Sequence, residues 1–182
     1  MAEITFITGG QRSGKSSFAQ RLAEEKSGEP VYLATARIWD TDFEARVKRH
    51  QSDRGEQWQT IEEQINISKY NLEGKTVLLD CITLWLTNIF YENKNDIERS
   101  LEIAKTEWDK FTAQNFTLIV VSNELGMGVH PENALARKFA DLQGWMNQYI
   151  AKTANEVFLM VSGIPLLVKG ISNNDKPMTN DQ

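Results

Sequence analysis

The segment Gly9-Gly10-Gln11-Arg12-Ser13-Gly14-Lys15-Ser16, set directly after the apolar run 4–8, limits what this chain can fold into more than any other feature. It fits G-x-x-x-x-G-K-[ST] and has the context that pattern requires, a β-rich run before it and a helical stretch, 17–26, after it. Glycines let such a loop wrap closely around phosphate oxygens while successive backbone N–H groups point inward, and the helix N-terminus adds partial positive charge. Lys15 is placed to contact the β and γ phosphates of a nucleoside triphosphate. The Ser16 hydroxyl is placed to ligate a Mg²⁺ ion bridging them.

Further β-rich runs fall at 31–35, 77–81, 117–122 and 157–161, with helical periodicity between them. Continuous Val/Ile/Leu runs mark strands buried on both faces, so the pattern predicts an α/β, P-loop NTPase-like fold with a mostly parallel central sheet flanked by helices. The clearest helix is 134–154, whose stripe of Leu135, Phe139, Leu142, Met146 and Tyr149 should face the sheet. Gly144 lies off that stripe, where it would permit close packing. A second helix is predicted over 97–114, separated by the polar loop 93–96 from the apolar segment 84–91.

A chain of 182 residues suits a single domain, here expected over 1–170. Beyond Lys169 the sequence is polar, so 171–182 is expected to be a mobile tail. No apolar run approaches the roughly 20 residues that span a bilayer, which predicts no membrane insertion. No signal-like segment opens the chain, and the single cysteine, Cys81, excludes an internal disulfide framework. A cytoplasmic protein is expected. A net charge of -5 with mixed signs gives no footprint for nucleic acid, so any polyanion it binds should be small and held at one site.

A carboxylate that organises the metal is expected at the end of another buried strand, and Asp80 fills that place, with helix N-capping as its alternative role. Cys81 reads as a small packing residue, because nothing beside it would lower its pKa. Asn93-Lys94-Asn95-Asp96 spells the N-K-x-D pattern that reads guanine in GTPase switches. It follows a helical stretch rather than a buried strand, and the D-x-x-G match, Asp141 to Gly144, lies inside the best helix; a solvated loop is the better reading. The segment 42–50 has helical character, with Arg46 and His50 on one face. His50 is therefore either a phosphoryl nucleophile beside Arg46 and Arg54 or a histidine at the edge of the core, next to Phe43 and Val47. His130 reads as a turn residue.

Several segments then carry a resemblance when taken in order. They are Thr8-Gly9-Gly10-Gln11-Arg12-Ser13-Gly14-Lys15-Ser16, Tyr32-Leu33-Ala34-Thr35-Ala36, Arg46-x-x-x-His50-x-x-x-Arg54, and Trp58-x-Thr60-x-Glu62. They continue with Leu79-Asp80-Cys81-Ile82-Thr83-Leu84-Trp85-Leu86-Thr87-Asn88, Ser122-Asn123-Glu124-Leu125-Gly126-Met127-Gly128, Pro131-Glu132-Asn133 and Val161-Ser162-Gly163-Ile164-Pro165. Together, over about 3–169, the chain resembles the bifunctional adenosylcobinamide kinase/adenosylcobinamide-phosphate guanylyltransferase family of cobalamin synthesis.

The resemblance implies phosphorylation of adenosylcobinamide by ATP or GTP, then transfer of GMP from GTP to adenosylcobinamide phosphate, with Mg²⁺ as the metal. It implies that His50 carries the guanylyl group as a phosphoramidate and that Lys15 serves both reactions. Nucleotide contacts are implied at Gly9, Gly10, Gln11, Arg12, Ser13, Gly14, Lys15, Ser16, Ala34, Thr35, Ala36, Gln51, Ser52, Asp53, Arg54, Glu62 and Asp80. Ser16 and Asp80 are the implied metal ligands. A homotrimer is implied too, with active sites near subunit contacts. From the residues alone, Glu124 is equally a base for the substrate hydroxyl or a helix-capping carboxylate.

Overall fold

The computed structural model of the chain describes residues 1–37 and 55–170; the helical segment expected at 42–50 and the tail expected at 171–182 lie outside them. Strands β1 (Glu3–Gly9), β2 (Val31–Ala34), β3 (Gln59–Glu62), β4 (Thr76–Asp80), β5 (Thr117–Val121), β6 (Glu156–Val161) and β7 (Ile164–Lys169) form one sheet. Its order is β3-β2-β4-β5-β1-β6-β7, parallel throughout except for the β6–β7 hairpin. The helices are α1 (Lys15–Lys26), α2 (Ile82–Glu92), α3 (Ile97–Thr112) and α4 (Ala134–Thr153).

Side-chain alternation along each strand divides the core between the two faces of the sheet. Phe6, Leu33, Val77, Leu79, Leu118 and Val120 pack with Trp85 and Leu86 of α2, Trp108 and Phe111 of α3, and Met146 and Ile150 of α4. On the opposite face, Ile7, Leu78, Ile119 and Val121 meet Phe18, Ala19 and Ala23 of α1, with Trp58 completing the cluster. Each fully buried Leu, Ile or Phe contributes roughly 1.5–3 kcal/mol of transfer free energy, which is why the short central strands hold in place. The expected α/β sheet flanked by helices is therefore present.

Boundaries moved where backbone chemistry overrides the apolar pattern. The first helix starts at Lys15, inside the loop motif, because Gly14 ends the turn in a left-handed conformation (φ 91) and its carbonyl accepts from Phe18 N at 3.1 Å. β4 stops at Asp80, and Cys81 becomes the N-cap residue of α2 without any side-chain capping bond. Asp96 caps α3 through its side chain, accepting from Arg99 N at 2.9 Å, while Lys94 and Asn95 take positive φ values of 54 and 62. The 93–96 segment is thus a helix–helix turn, as read. In α4, Leu142 and Met146 are buried, Phe139 and Tyr149 partly so, but Leu135 in the first turn stays 46% exposed. A Cβ on Gly144 would meet nothing within 4 Å, so that glycine supports no close packing. Among the described residues, no helix is long and apolar enough to cross a membrane.

Candidate active site

Parallel pairing places the C-terminal ends of β3, β2, β4, β5 and β1 along one edge of the sheet, where open α/β sheets form their crevices. The register is continuous there: Glu62 pairs with Ala34, Ala34 with Asp80, Asp80 with Val121, and Val121 with Ile7, two residues before the loop begins. Glu62, Ala34, Asp80 and the 9–16 loop, far apart in sequence, are therefore aligned along this edge.

The loop itself is held by its neighbours on both flanks. Gly9 O accepts from Glu124 N, after β5, at 2.9 Å, and Ser13 O accepts from Gly163 N, in the β6–β7 turn, at 2.9 Å. Since the C=O and N–H of a trans peptide point in opposite directions, these two bonds aim the Gly10 and Gly14 N–H groups away from the braces. Gly9 has no alternative residue, because at φ 151 a Cβ would lie 2.7 Å from Met160 O and 3.0 Å from Ser13 Oγ. A Cβ on Gly14 would lie 3.1 Å from Gly163 Cα. Arg12 takes a left-handed φ of 56, and Gln11 and Arg12 are exposed. Left-handed residues at alternate positions, here Arg12 and Gly14, occur in the backbone nests by which loops can bind anions.

Lys15 is buried, and its Nζ donates to Gly10 O at 2.6 Å and to Ser13 Oγ at 3.5 Å. Burial lowers the ammonium pKa from its ordinary value, and the nearby Asp80 carboxylate works against that shift. Cys81 offers Lys15 no countercharge near neutral pH, since burial, and next the Asp80 charge, push its thiol up to about 12. This agrees with the packing role read for Cys81.

Asp80 sits at the end of β4 and accepts from the Tyr32 hydroxyl at 3.0 Å through Oδ2. Tyr32 packs edge-on against Trp58, with ring centroids 6.3 Å apart, and Trp58 Nε1 donates to Glu24 Oε1 at 3.1 Å. Residue-by-residue reading gave Tyr32 no role. The diagonal reach from β2 to the residue two beyond its partner Leu78 was the available signal. Asp80 does not cap α2, and the peptide bond from Asp80 to Cys81 is cis.

Thr35, expected among the nucleotide contacts, is completely buried. Its hydroxyl donates to Cys81 O at 2.8 Å and accepts from Cys81 N at 3.0 Å, while its carbonyl accepts from Asn88 Nδ2 at 2.8 Å. Its side chain therefore ties the end of β2 to the turn after Asp80. Ala34 and Ala36 are half-buried, and Glu62 is exposed at the sheet edge. His50, Gln51, Ser52, Asp53 and Arg54, like Arg46, lie outside the described residues. Glu124 Oε1 accepts from Gly126 N at 2.7 Å, which engages the carboxylate in its own loop. That contact closes a turn within the loop and caps no helix, since the next helix, α4, begins at Ala134 and is capped by Asn133. His130 is exposed in the irregular segment before α4, beyond the turn at 126–128.

Asp80 and Ser16 supply a carboxylate and a hydroxyl, the hard oxygen donors that suit Mg²⁺, and Asp80 lies close enough to Lys15 to affect its titration. The donor set fits that ion, completed by phosphate oxygens and water.

Comparison with known proteins identifies the family of the chain. The family model described as cobinamide kinase / cobinamide phosphate guanyltransferase matches residues 5–168. The bifunctional adenosylcobalamin biosynthesis protein CobU of Escherichia coli is 35% identical, covering 91% of this chain and 99% of its own length. Its counterpart CobP of Pseudomonas aeruginosa is 36% identical over 90% of this chain and 96% of its own. CobU of Salmonella typhimurium is 34% identical over 91% and 99%. Among solved structures, the flagellar accessory protein FlaH of Methanocaldococcus jannaschii aligns with 92% of this chain and 78% of its own at 14% identity, and its TM-score of 0.43 is too low to bear on the fold. With the family match running from within β1 to within β7 and taking in the phosphate loop and Asp80, this chain belongs to the cobinamide kinase / cobinamide phosphate guanyltransferase family.

Proposed function

We propose that the chain phosphorylates the hydroxyl of adenosylcobinamide with ATP or GTP and then transfers GMP from GTP to adenosylcobinamide phosphate, giving adenosylcobinamide-GDP and pyrophosphate. The observation that carries this reading is the braced 9–16 loop, with Lys15 buried inside it and Asp80 beside it, in a chain of this family. Lys15 and the loop N–H groups hold the triphosphate and offset the charge that builds up as a phosphoryl group leaves. Ser16 and Asp80 hold Mg²⁺, which when bound neutralises phosphate charge. Glu62, Ala34, Ala36 and residues 51–54 contribute to the nucleotide pocket, with Thr35 acting as a tie beneath it.

In the second reaction His50 attacks the α-phosphorus of GTP, pyrophosphate leaves, and the resulting P–N bond is broken by the substrate phosphate. Splitting one substitution into two displacements lets a single phosphate loop serve both reactions. The functional unit in this reading is a cytoplasmic homotrimer.

The test is incubation with adenosylcobinamide, ATP, GTP and Mg²⁺, followed by product analysis and intact-mass measurement of the protein. Adenosylcobinamide-GDP, pyrophosphate and a protein heavier by one GMP are expected. Phosphorylated adenosylcobinamide with no GMP adduct would leave a kinase only, and nucleotide binding with no product would leave a regulator.

A further inference from the structure

The loop that leaves β5 comes out between the two halves of the phosphate site, because β5 lies between β1, which carries the 9–16 loop, and β4, which ends in Asp80. An acceptor hydroxyl must approach the transferable phosphate in that same gap. The base of this loop is fixed: Asn123 N donates to Thr83 Oγ1 at 3.0 Å, Asn147 Nδ2 to Asn123 O at 3.1 Å, and Glu124 N to Gly9 O at 2.9 Å. Its far end is fixed as well, with Arg137 Nη1 donating to Pro131 O at 2.9 Å and Glu132 O at 2.6 Å. Between these anchors the sequence is Leu125-Gly126-Met127-Gly128-Val129, without a charge, and its side chains are 37%, 77% and 95% exposed at Leu125, Met127 and Val129. These three apolar side chains are turned to water on a loop anchored at both ends beside the phosphate site, where a bound acceptor could cover them.

We propose that residues 125–129 are the docking surface for the macrocycle of the cobinamide acceptor, a placement that rests on the functional reading above. A triphosphate would be recognised by charge, which this segment lacks. A corrin macrocycle offers ring methyl groups and exposed ring surface between its amide arms to apolar contact, and methionine adapts its unbranched side chain to such an uneven surface. The loop holds the macrocycle at the rim of the crevice, leaving only the hydroxyl-bearing arm to enter between Lys15 and Asp80. Continuity with the phosphate site, through Glu124 N and Gly9 O, keeps the two subsites in fixed relation.

The experiment compares wild type, the double variant Met127→Ser/Val129→Ser, and the conservative variant Met127→Leu. Both substituted positions are exposed, so folding is not at stake; thermal melts confirm this. Kinase rates are measured while varying adenosylcobinamide and, separately, ATP, and solution mass is followed by sedimentation. The double variant should show a KM for adenosylcobinamide raised about ten-fold or more, the effect of losing one well-buried apolar side chain. Its KM for ATP should stay unchanged, and Met127→Leu should behave as wild type. An unchanged KM for adenosylcobinamide, or an equal rise for ATP, overturns the assignment. A changed solution mass with unaltered KM values gives the surface to a second copy of the chain instead. If the wild type phosphorylates adenosylcobinamide while the double variant matches it, the loop assignment alone fails; if the wild type leaves it unphosphorylated, the functional reading fails too.

Discussion

Replacing Lys15 with alanine should separate catalysis from folding more cleanly than any other change in this chain. The side chain is buried, and its ammonium donates at 2.6 Å to Gly10 O across the loop. On the proposed mechanism that ammonium contacts phosphate in both reactions, and losing one charge-assisted contact in a preorganised site commonly costs a few kcal/mol, or roughly 10²-fold to 10³-fold in rate. Stability should respond differently. Truncation removes about three buried methylenes at roughly 0.8 kcal/mol each, but it also removes a cation that burial disfavours. The two effects oppose, and Gly10 is exposed, so water can satisfy its carbonyl. The net change without nucleotide should stay within about 2 kcal/mol.

The wild type should carry a pH signature of the same burial. With the folded pKa below the lysine value of 10.5, the unfolded chain binds more protons between the two, so stability rises with pH through that interval. The Lys15→Ala protein should lack this rise. Urea denaturation at stepped alkaline pH and steady-state kinase assays supply both measurements. Near-normal turnover in a folded Lys15→Ala protein would remove the loop from the mechanism, and an equal alkaline slope in both proteins would refute the burial account.

Asp80→Asn preserves an acceptor for the Tyr32 hydroxyl, so kinase rate should fall roughly 10²-fold and the Mg²⁺ requirement should rise while the melting temperature barely moves. A large loss of stability with normal Mg²⁺ dependence would make Asp80 structural. His50→Ala should abolish GMP attachment and guanylyl transfer but retain kinase turnover, and the wild-type adduct should be acid-labile, as a P–N bond is. Continued labelling of His50→Ala, seen by intact mass, would place the adduct elsewhere. Asn88→Ala leaves the carbonyls of Thr35 and Gln64 without their donor and should cost about 1–3 kcal/mol in urea denaturation, while a change under about 0.5 kcal/mol would show that water replaces it.

Buried features were legible in the sequence because burial leaves a repeating apolar signal. β1, β2, β4, β5 and β6 all announce themselves as short runs of Val, Ile, Leu or Phe. The loop 9–16 is legible for a different reason: glycine, lysine and hydroxyl at fixed offsets answer a geometric demand. β3 left no such trace, since Gln59, Thr60 and Glu62 are exposed on an edge strand. β7 was hidden by Pro165, which an edge strand tolerates, and by apolar residues that remain exposed. Within the site, Asp80 was readable from its position at a strand end. Thr35 was not, because its hydroxyl turns inward to the Cys81 backbone, a contact that only the β2–β4 register creates. Tyr32 was missed for the same reason.

The position of β1 between β5 and β6 also bears on how the chain reaches its native state. Thr5 and its β6 neighbour Glu156 are 151 positions apart, and the brace on Ser13 comes from the still later Gly163. Closing loops of that length is slow and entropically unfavourable, so long-range parallel pairing tends to come late in folding. During synthesis, the phosphate loop is made well before the β6 strand and the β6–β7 turn that hold it. An emerging chain that ends before Gly163 lacks one of the two braces, so on the proposed function firm triphosphate binding awaits the β6–β7 turn. Nucleotide present in the cell then favours the finished fold over its partly assembled precursors.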